Sequence, residues 1–168
     1  MRPGETVRRH LATAITARLR AEIPGISAHV GEDYRHAEDP EAVAYRRTGA
    51  HFHWLAFAFS PWRMWDLHVG VVSIDETQLS IGFHISERAK PLLLAHLQKL
   101  GASIGATAEH RPAALEYQAN LPPVSIAEAD AESLAPTITG LCRSMAQLAQ
   151  RIEPPADMKA LRGRPEEA

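Results

Sequence analysis

Cysteine, net charge and long apolar runs are all scarce in this chain of 168 residues. Cys142 is the only cysteine, which excludes an internal disulfide and a thiolate metal cage and suits a reducing compartment, so we expect a cytoplasmic protein. The formal net charge of −2 provides no field that would attract a phosphate backbone, and nucleic acid is not an expected partner. No apolar run approaches the ~20 residues that a spanning helix needs, so we expect no membrane contact.

Motifs of catalysis are also missing. The chain has no Gly-x-Ser-x-Gly elbow, no phosphate-binding loop and no His-Glu-x-x-His sequence. Hydrophobic residues make up 45% of the chain, which is typical of a globular protein rather than a disordered one. We therefore predict a single domain over residues 1–153. Residues 154–168 begin with a Pro-Pro pair, after which the chain is polar and lacks periodicity, and they are predicted to form a flexible tail.

Hydrophobic periodicity predicts elements in an order typical of an α+β domain. Apolar residues recur every four positions from Val7 to Leu19, which indicates an amphipathic first helix. A second helix is predicted after Ser86 and a third from about Pro136. Alternating apolar and polar residues indicate four strands before the second helix and two after it. The sequence therefore predicts an α+β fold of order α-ββββ-α-ββ-α, with about four to six antiparallel strands in a meander and the helices mainly on one face.

The third and fourth strands are predicted to form a hairpin over residues 67–86. One of its faces is uniformly apolar and is expected to face the core. Its other face carries small and polar residues, namely His68, Gly70, Ser80, Gly82 and His84. In the second strand Leu55, Phe57 and Phe59 are larger than the residues between them, so the register that places these three in the core is favoured.

Nine histidines are the unusual feature of the composition, and five of them fall on predicted strands: His29, His51, His53, His68 and His84. Histidines at i and i+2 project to one side of a strand. His51 and His53, with His68 or His84 as the third ligand, could therefore bind zinc or another transition metal. The favoured register argues against this site, because it turns His51 and His53 towards the core. A metal site of His51, His53 and His68, serving a metal-dependent hydrolase or lyase, is the alternative hypothesis.

The favoured register leaves a second sheet face, opposite the core, on which aromatic residues lie beside small ones. Its members are Phe52, Trp54, Ala56, Ala58, His68, Gly70, Gly82 and His84. A shallow apolar surface of this kind accepts a second subunit, a peptide or a flat ligand. A helix that covers the face is an equal alternative.

The connection between the second and third strands carries Trp62, Arg63 and Trp65, which is the composition of an interface hot spot. The alternative is that both indoles cover the end of the core. The leading hypothesis is a non-catalytic binding module without a cofactor, which forms a homodimer or holds a protein partner. The residues expected to make this contact are Phe52, Trp54, Trp62, Arg63, Trp65, His68 and His84.

Nucleophilic catalysis has little support in the sequence. Cys142 lies within a predicted helix beside its apolar seam, where a buried side chain is expected rather than an activated thiolate. Asp66 and His68 are i, i+2 neighbours and could form an acid/base pair, which is a weak signal.

Overall fold

The computed structural model describes residues 3–32, 53–73, 77–111 and 116–159. Within these ranges the helices are α1 (Pro3–Leu19), α2 (Lys90–Ser103), α3 (Ala131–Arg151) and a 3-10 helix (Ala156–Met158). The strands are β1 (Ile26–Glu32), β2 (His53–Phe59), β3 (Leu67–Ser73), β4 (Gln78–Ser86), β5 (Glu109–Arg111), β6 (Glu116–Asn120) and β7 (Val124–Ser125). This order confirms the predicted α-ββββ-α-ββ-α arrangement, to which the short strand β7 is added.

The seven strands form one antiparallel sheet in the order β1-β2-β3-β4-β6-β5, and β7 pairs with the start of β4. The first four strands are the predicted meander. After α2, however, β6 rather than β5 lies next to β4, and β5 becomes the outer strand. The inner position of β6 places its polar face directly beside the hairpin of β3 and β4.

The register between β2 and β3 is the one that the side-chain sizes favour. Phe57 pairs with Val69 and Leu55 pairs with Val71. Leu55, Phe57 and Phe59 are all at most 1% exposed and belong to the main hydrophobic core. The large side chains therefore fix which face of β2 is turned inward.

All three α-helices bury side chains in this same core. Helix α1 contributes Leu11, Ile15 and Leu19 at the spacing of one helical face. Helix α3 contributes the seam of Ile138, Leu141, Met145 and Leu148, and α2 contributes Leu93 and Leu97. Each fully buried leucine or isoleucine stabilises the fold by about 1.5–3 kcal/mol. In the described residues no helix combines the length and the apolarity needed to cross a bilayer.

Two helix starts differ from the predicted ones. The Asp130 carboxylate accepts a hydrogen bond from the backbone N–H of Glu132 at 3.2 Å, so α3 begins five residues before Pro136 and contains that proline. Helix α2 begins four residues after Ser86. The Ser86 hydroxyl accepts from the backbone N–H of Ala89 at 3.2 Å and so caps the turn that precedes the helix.

Residues 152–159, which include the start of the predicted tail, pack against the connection between β2 and β3. Pro154 and Met158 are buried. The backbone N–H of Arg63 donates to the Met158 carbonyl at 2.9 Å, and Trp62 forms an isolated β-bridge with Lys159. Residues 154–159 of the predicted tail thus contact the folded domain, and residues 160–168 lie outside the described residues.

Candidate functional site

The tryptophan loop (residues 60–66) carries three of the residues that were predicted to bind a partner. Trp62 is fully buried, and its Nε1–H donates to the Ile152 carbonyl at 2.8 Å. For Trp62 the alternative interpretation, an indole that covers the end of the core, describes the structure. Arg63 and Trp65 are half-buried. Only these two loop residues from the predicted contact set reach the surface.

The second sheet face is buried where it meets this loop. Four buried residues form a small hydrophobic cluster there: Trp54, Ala56, Ala58 and Met64. Trp65 packs against Trp54 with ring centroids 5.1 Å apart and an interplanar angle of 69°. Phe52, which was also expected on this face, lies outside the described residues. The loop thus covers part of the second sheet face, because the three α-helices pack on the opposite face of the sheet.

The residues predicted to bind metal are divided. His51 lies outside the described residues, and the backbone of His53 pairs with the last residue of β3. His68 pairs instead with His84, directly across the hairpin. In the described ranges the group of possible metal ligands is His68, His84 and Glu116. Two of the predicted site residues therefore come together, and they do so with a carboxylate from β6.

This His/Glu cluster (His68, His84 and Glu116) is assembled by three adjacent strands. His68 lies opposite His84, which in turn lies opposite Gln118, so that Glu116 is a diagonal neighbour of His84. His68 Nε2 is 3.1 Å from His84 Nδ1 and 3.5 Å from Glu116 Oε1. His84 Nδ1 is 3.5 Å from Glu116 Oε2. Two imidazole nitrogens and both carboxylate oxygens thus converge on one point.

The outer nitrogen of each ring is bonded to a protein oxygen. His68 Nδ1 lies 2.7 Å from the carbonyl oxygen of Met64, which can only accept, so His68 donates through Nδ1–H. His84 Nε2 lies 3.1 Å from Asn120 Oδ1 and donates to it. In neutral rings the lone pairs therefore belong to His68 Nε2 and His84 Nδ1, the two nitrogens that face each other and Glu116.

The cluster is deeply buried and closely packed. His68, His84 and Glu116 are 3%, 1% and 5% exposed, respectively. Trp65 meets the His68 ring edge-on at a centroid distance of 6.1 Å. A Cβ built on Gly70 would overlap the His84 imidazole, so the ring occupies space that only a glycine leaves. Buried polar groups of this kind require hydrogen-bond partners, and here the outer nitrogen of each ring has one.

Asp66, which was considered as an acid/base partner of His68, is bound to a different group. Its carboxylate accepts from the Ser86 hydroxyl at 2.6 Å and from Arg88 Nε and Nη2 at 2.7 and 2.6 Å. The hydrogen bond to Asp66 raises the pKa of the Arg88 guanidinium. These contacts hold the Asp66 carboxylate near the start of α2.

Cys142 is fully buried in α3, as expected from the sequence. Burial raises the pKa of its thiol, because a thiolate would lose its hydration there. A buried protonated thiol is a packing group rather than a nucleophile.

Glu116 is the member of the site that sequence reasoning missed. In the sequence it belongs to an alternating strand in which Glu116, Gln118 and Asn120 form the polar side, the pattern of a solvent-facing strand. The useful signal was that three hydrogen-bonding side chains share one strand face in a sheet that also carries two histidines on one face. Because comparison with protein-family models, curated proteins and solved structures finds no match to this chain, function has to be inferred from this geometry.

Proposed function

We propose that this protein binds one divalent transition-metal ion through His68 Nε2, His84 Nδ1 and the carboxylate of Glu116. The observation that carries the proposal is the convergence of the three donor groups, whose ligand atoms all lie within 4.8 Å of one another. Metal-bound histidines typically donate their other N–H to a carbonyl or carboxylate oxygen. Both histidines make a bond of this kind, to the Met64 carbonyl and to the Asn120 side-chain carbonyl.

The separations between the donor atoms suit such an ion. For metal–ligand bonds of about 2.1 Å, the 3.1 Å between the nitrogens subtends about 95° at the metal, and 3.5 Å between nitrogen and oxygen subtends about 113°. These angles lie near those of octahedral and tetrahedral coordination. An ion would therefore fit with small movements of the side chains.

The charge and softness of the donors narrow the kind of metal. Two neutral imidazoles and one carboxylate bind Zn²⁺ in catalytic sites and Fe²⁺ in non-haem iron sites, whereas Mg²⁺ and Ca²⁺ favour oxygen ligands. A divalent cation would also compensate the buried negative charge of Glu116. A metal bound in this way supplies a Lewis acid and an activated water, which is the chemistry of metal-dependent hydrolases and lyases. We therefore propose that the bound metal serves a hydrolase or lyase activity.

Metal titration of untagged protein tests the binding. The protein is stripped with a chelator and titrated with Zn²⁺, Fe²⁺ and Co²⁺ under anaerobic conditions. We expect about one ion per chain and a Co²⁺ absorption spectrum that is lost in His84→Gln and Glu116→Gln. His110→Gln, which removes an exposed histidine on β5, is the matched control and should bind as the wild type does. Wild-type protein that binds none of the three ions, or binding that survives both ligand variants, contradicts the proposal.

Association with a protein partner is a separate proposal from the metal site, and so is residence in the cytoplasm, which suits a single buried cysteine. Arg63 and Trp65 are the members of the predicted contact set that the tryptophan loop leaves partly accessible. Native mass spectrometry tests this association. A dimer that dissociates in the Arg63→Ala and Trp65→Ala double variant supports it, and a monomer at high protein concentration contradicts self-association.

A further inference from the structure

A chain of side-chain hydrogen bonds runs along β6 and connects two members of the His/Glu cluster. Gln118 Nε2 donates to Glu116 Oε2 at 2.8 Å, and Asn120 Nδ2 donates to Gln118 Oε1 at 2.9 Å. Asn120 Oδ1 then accepts from His84 Nε2 at 3.1 Å. The three residues of β6 occur at every second position and therefore share one strand face. We call Gln118 and Asn120 the amide chain.

The direction of this chain follows from the chemistry of its end groups. An ionised carboxylate only accepts hydrogen bonds, so Gln118 must present its NH₂ group to Glu116. Its carbonyl oxygen then faces Asn120, which must in turn present its own NH₂ group. The carbonyl oxygen of Asn120 is thereby turned towards His84 and requires a proton on Nε2. The hydrogen bonds that run from Glu116 through the two amides thus place an acceptor oxygen at His84 Nε2, and the proton is held on that nitrogen.

We propose that Asn120 and Gln118 are the positioning residues of this site, and that Asn120 holds His84 as the Nε2–H tautomer with the Nδ1 lone pair aimed at His68 and Glu116. The use of that lone pair for metal rests on the proposed function. The tautomer itself is a property of the metal-free protein and is measurable without any ion. The Met64 carbonyl holds a proton on His68 Nδ1, so each ring turns its other nitrogen inward, and these two nitrogens are 3.1 Å apart.

The backbone leaves room for this arrangement at Gly82, which pairs with Asn120. A Cβ on Gly82 would stand 2.5 Å from Asn120 Oδ1 and 2.7 Å from Asn120 Cα, closer than side-chain carbons approach other atoms. Any residue other than glycine at position 82 would therefore displace the side chain of Asn120. Gly70 leaves the matching space for the His84 ring.

Nitrogen-15 NMR of histidine-labelled, metal-free protein tests the tautomer, with the His84 signals assigned by their loss in His84→Gln. In the wild type we expect Nδ1–H on His68 and Nε2–H on His84. Asn120→Leu has a similar size but offers no acceptor, and His84 should leave the Nε2–H form. Asn120→Asp keeps an acceptor oxygen and should keep that form. A wild-type His84 without a proton on Nε2, or an unchanged protonation of Nε2 in Asn120→Leu, overturns the proposal.

Metal titration provides the second measurement. Asn120→Leu should weaken metal affinity by about 10–100-fold, the range for a lost outer partner of a ligand, while Asn120→Asp should retain affinity close to that of the wild type. Gln118→Leu removes the acceptor for the Asn120 NH₂ group, so the Nε2–H form of His84 should be less populated than in the wild type, and the lost hydrogen bond to Glu116 should weaken metal affinity. Equal affinity in all variants overturns the positioning role. If the wild type binds no ion while the tautomers respond as expected, the metal function fails and the control of His84 by Asn120 stands.

Discussion

Gly70→Ala is the smallest change that should disrupt the His/Glu cluster without removing any of its members. Gly70 lies in the middle of β3 in extended backbone, where alanine is ordinarily more stable than glycine by about 0.5–1 kcal/mol. The added methyl group, however, would overlap the His84 imidazole, and this residue is 1% exposed. The ring must therefore move.

The expected cost follows from these opposing effects. Inserting one carbon into a well-packed interior costs about 1–3 kcal/mol. Moving the ring also weakens the hydrogen bond to Asn120, at about 1 kcal/mol. After the gain from replacing glycine is subtracted, we expect Gly70→Ala to lower the free energy of unfolding by about 1–3 kcal/mol.

Urea denaturation of the metal-free protein, followed by circular dichroism, measures this change. Gly140→Ala is the matched control, since Gly140 is exposed in α3 and a Cβ there would meet nothing within 4 Å. That variant should be more stable than the wild type by about 0.5–1 kcal/mol. The two substitutions should therefore have opposite signs. A Gly70→Ala protein as stable as the wild type would refute the packing argument for His84.

Three further predictions concern groups outside the cluster. Burial raises the pKa of the Cys142 thiol, so a thiol reagent should label it slowly in native protein and rapidly in urea; rapid native labelling would contradict its burial. Burial lowers the pKa of His29, so the unfolded chain binds that proton more tightly than the folded one. The free energy of unfolding should then fall as the pH drops below about 6.5, and His29→Gln should lessen that fall; an unchanged pH curve in His29→Gln would refute this. Arg88→Met should lower the free energy of unfolding, measured by urea denaturation, by about 2–3 kcal/mol. The loss is smaller than for a fully buried ion pair because Arg88 is 46% exposed, and Arg88→Lys should recover only part of it. A Met variant of wild-type stability would argue against the pair with Asp66.

The sequence predicts the hairpin of β3 and β4 and its pairing with β2 because the signals are local. Alternation assigns the two faces of each strand, and the size of Leu55, Phe57 and Phe59 decides which face of β2 is turned towards the main hydrophobic core. A shift of one residue would turn these three side chains to the other face of the sheet. The positions of His68 and His84 on one face follow from the same reasoning.

The contribution of β6 could not be predicted in the same way. Glu116 joins the cluster only because β6, rather than β5, pairs with β4. That choice depends on contacts between segments that are far apart in sequence, and the alternating pattern of a strand is the same whichever neighbour it has. The packing of residues 152–159 was missed for a related reason, since an irregular segment has no periodicity to recognise even where Met158 is buried.

The placement of the cluster on the sheet has a consequence for how it is assembled. His68 and His84 are 16 residues apart and face each other within one hairpin, whereas His84 and Asn120 are 36 residues apart. Contacts between residues close in sequence form sooner, because less chain entropy is lost in closing the loop. We therefore expect the two imidazoles to meet before β6 docks and brings Glu116 to them. A metal ion present during folding would first bind weakly to the two histidine nitrogens. It would bind tightly only after the Glu116 carboxylate joined them.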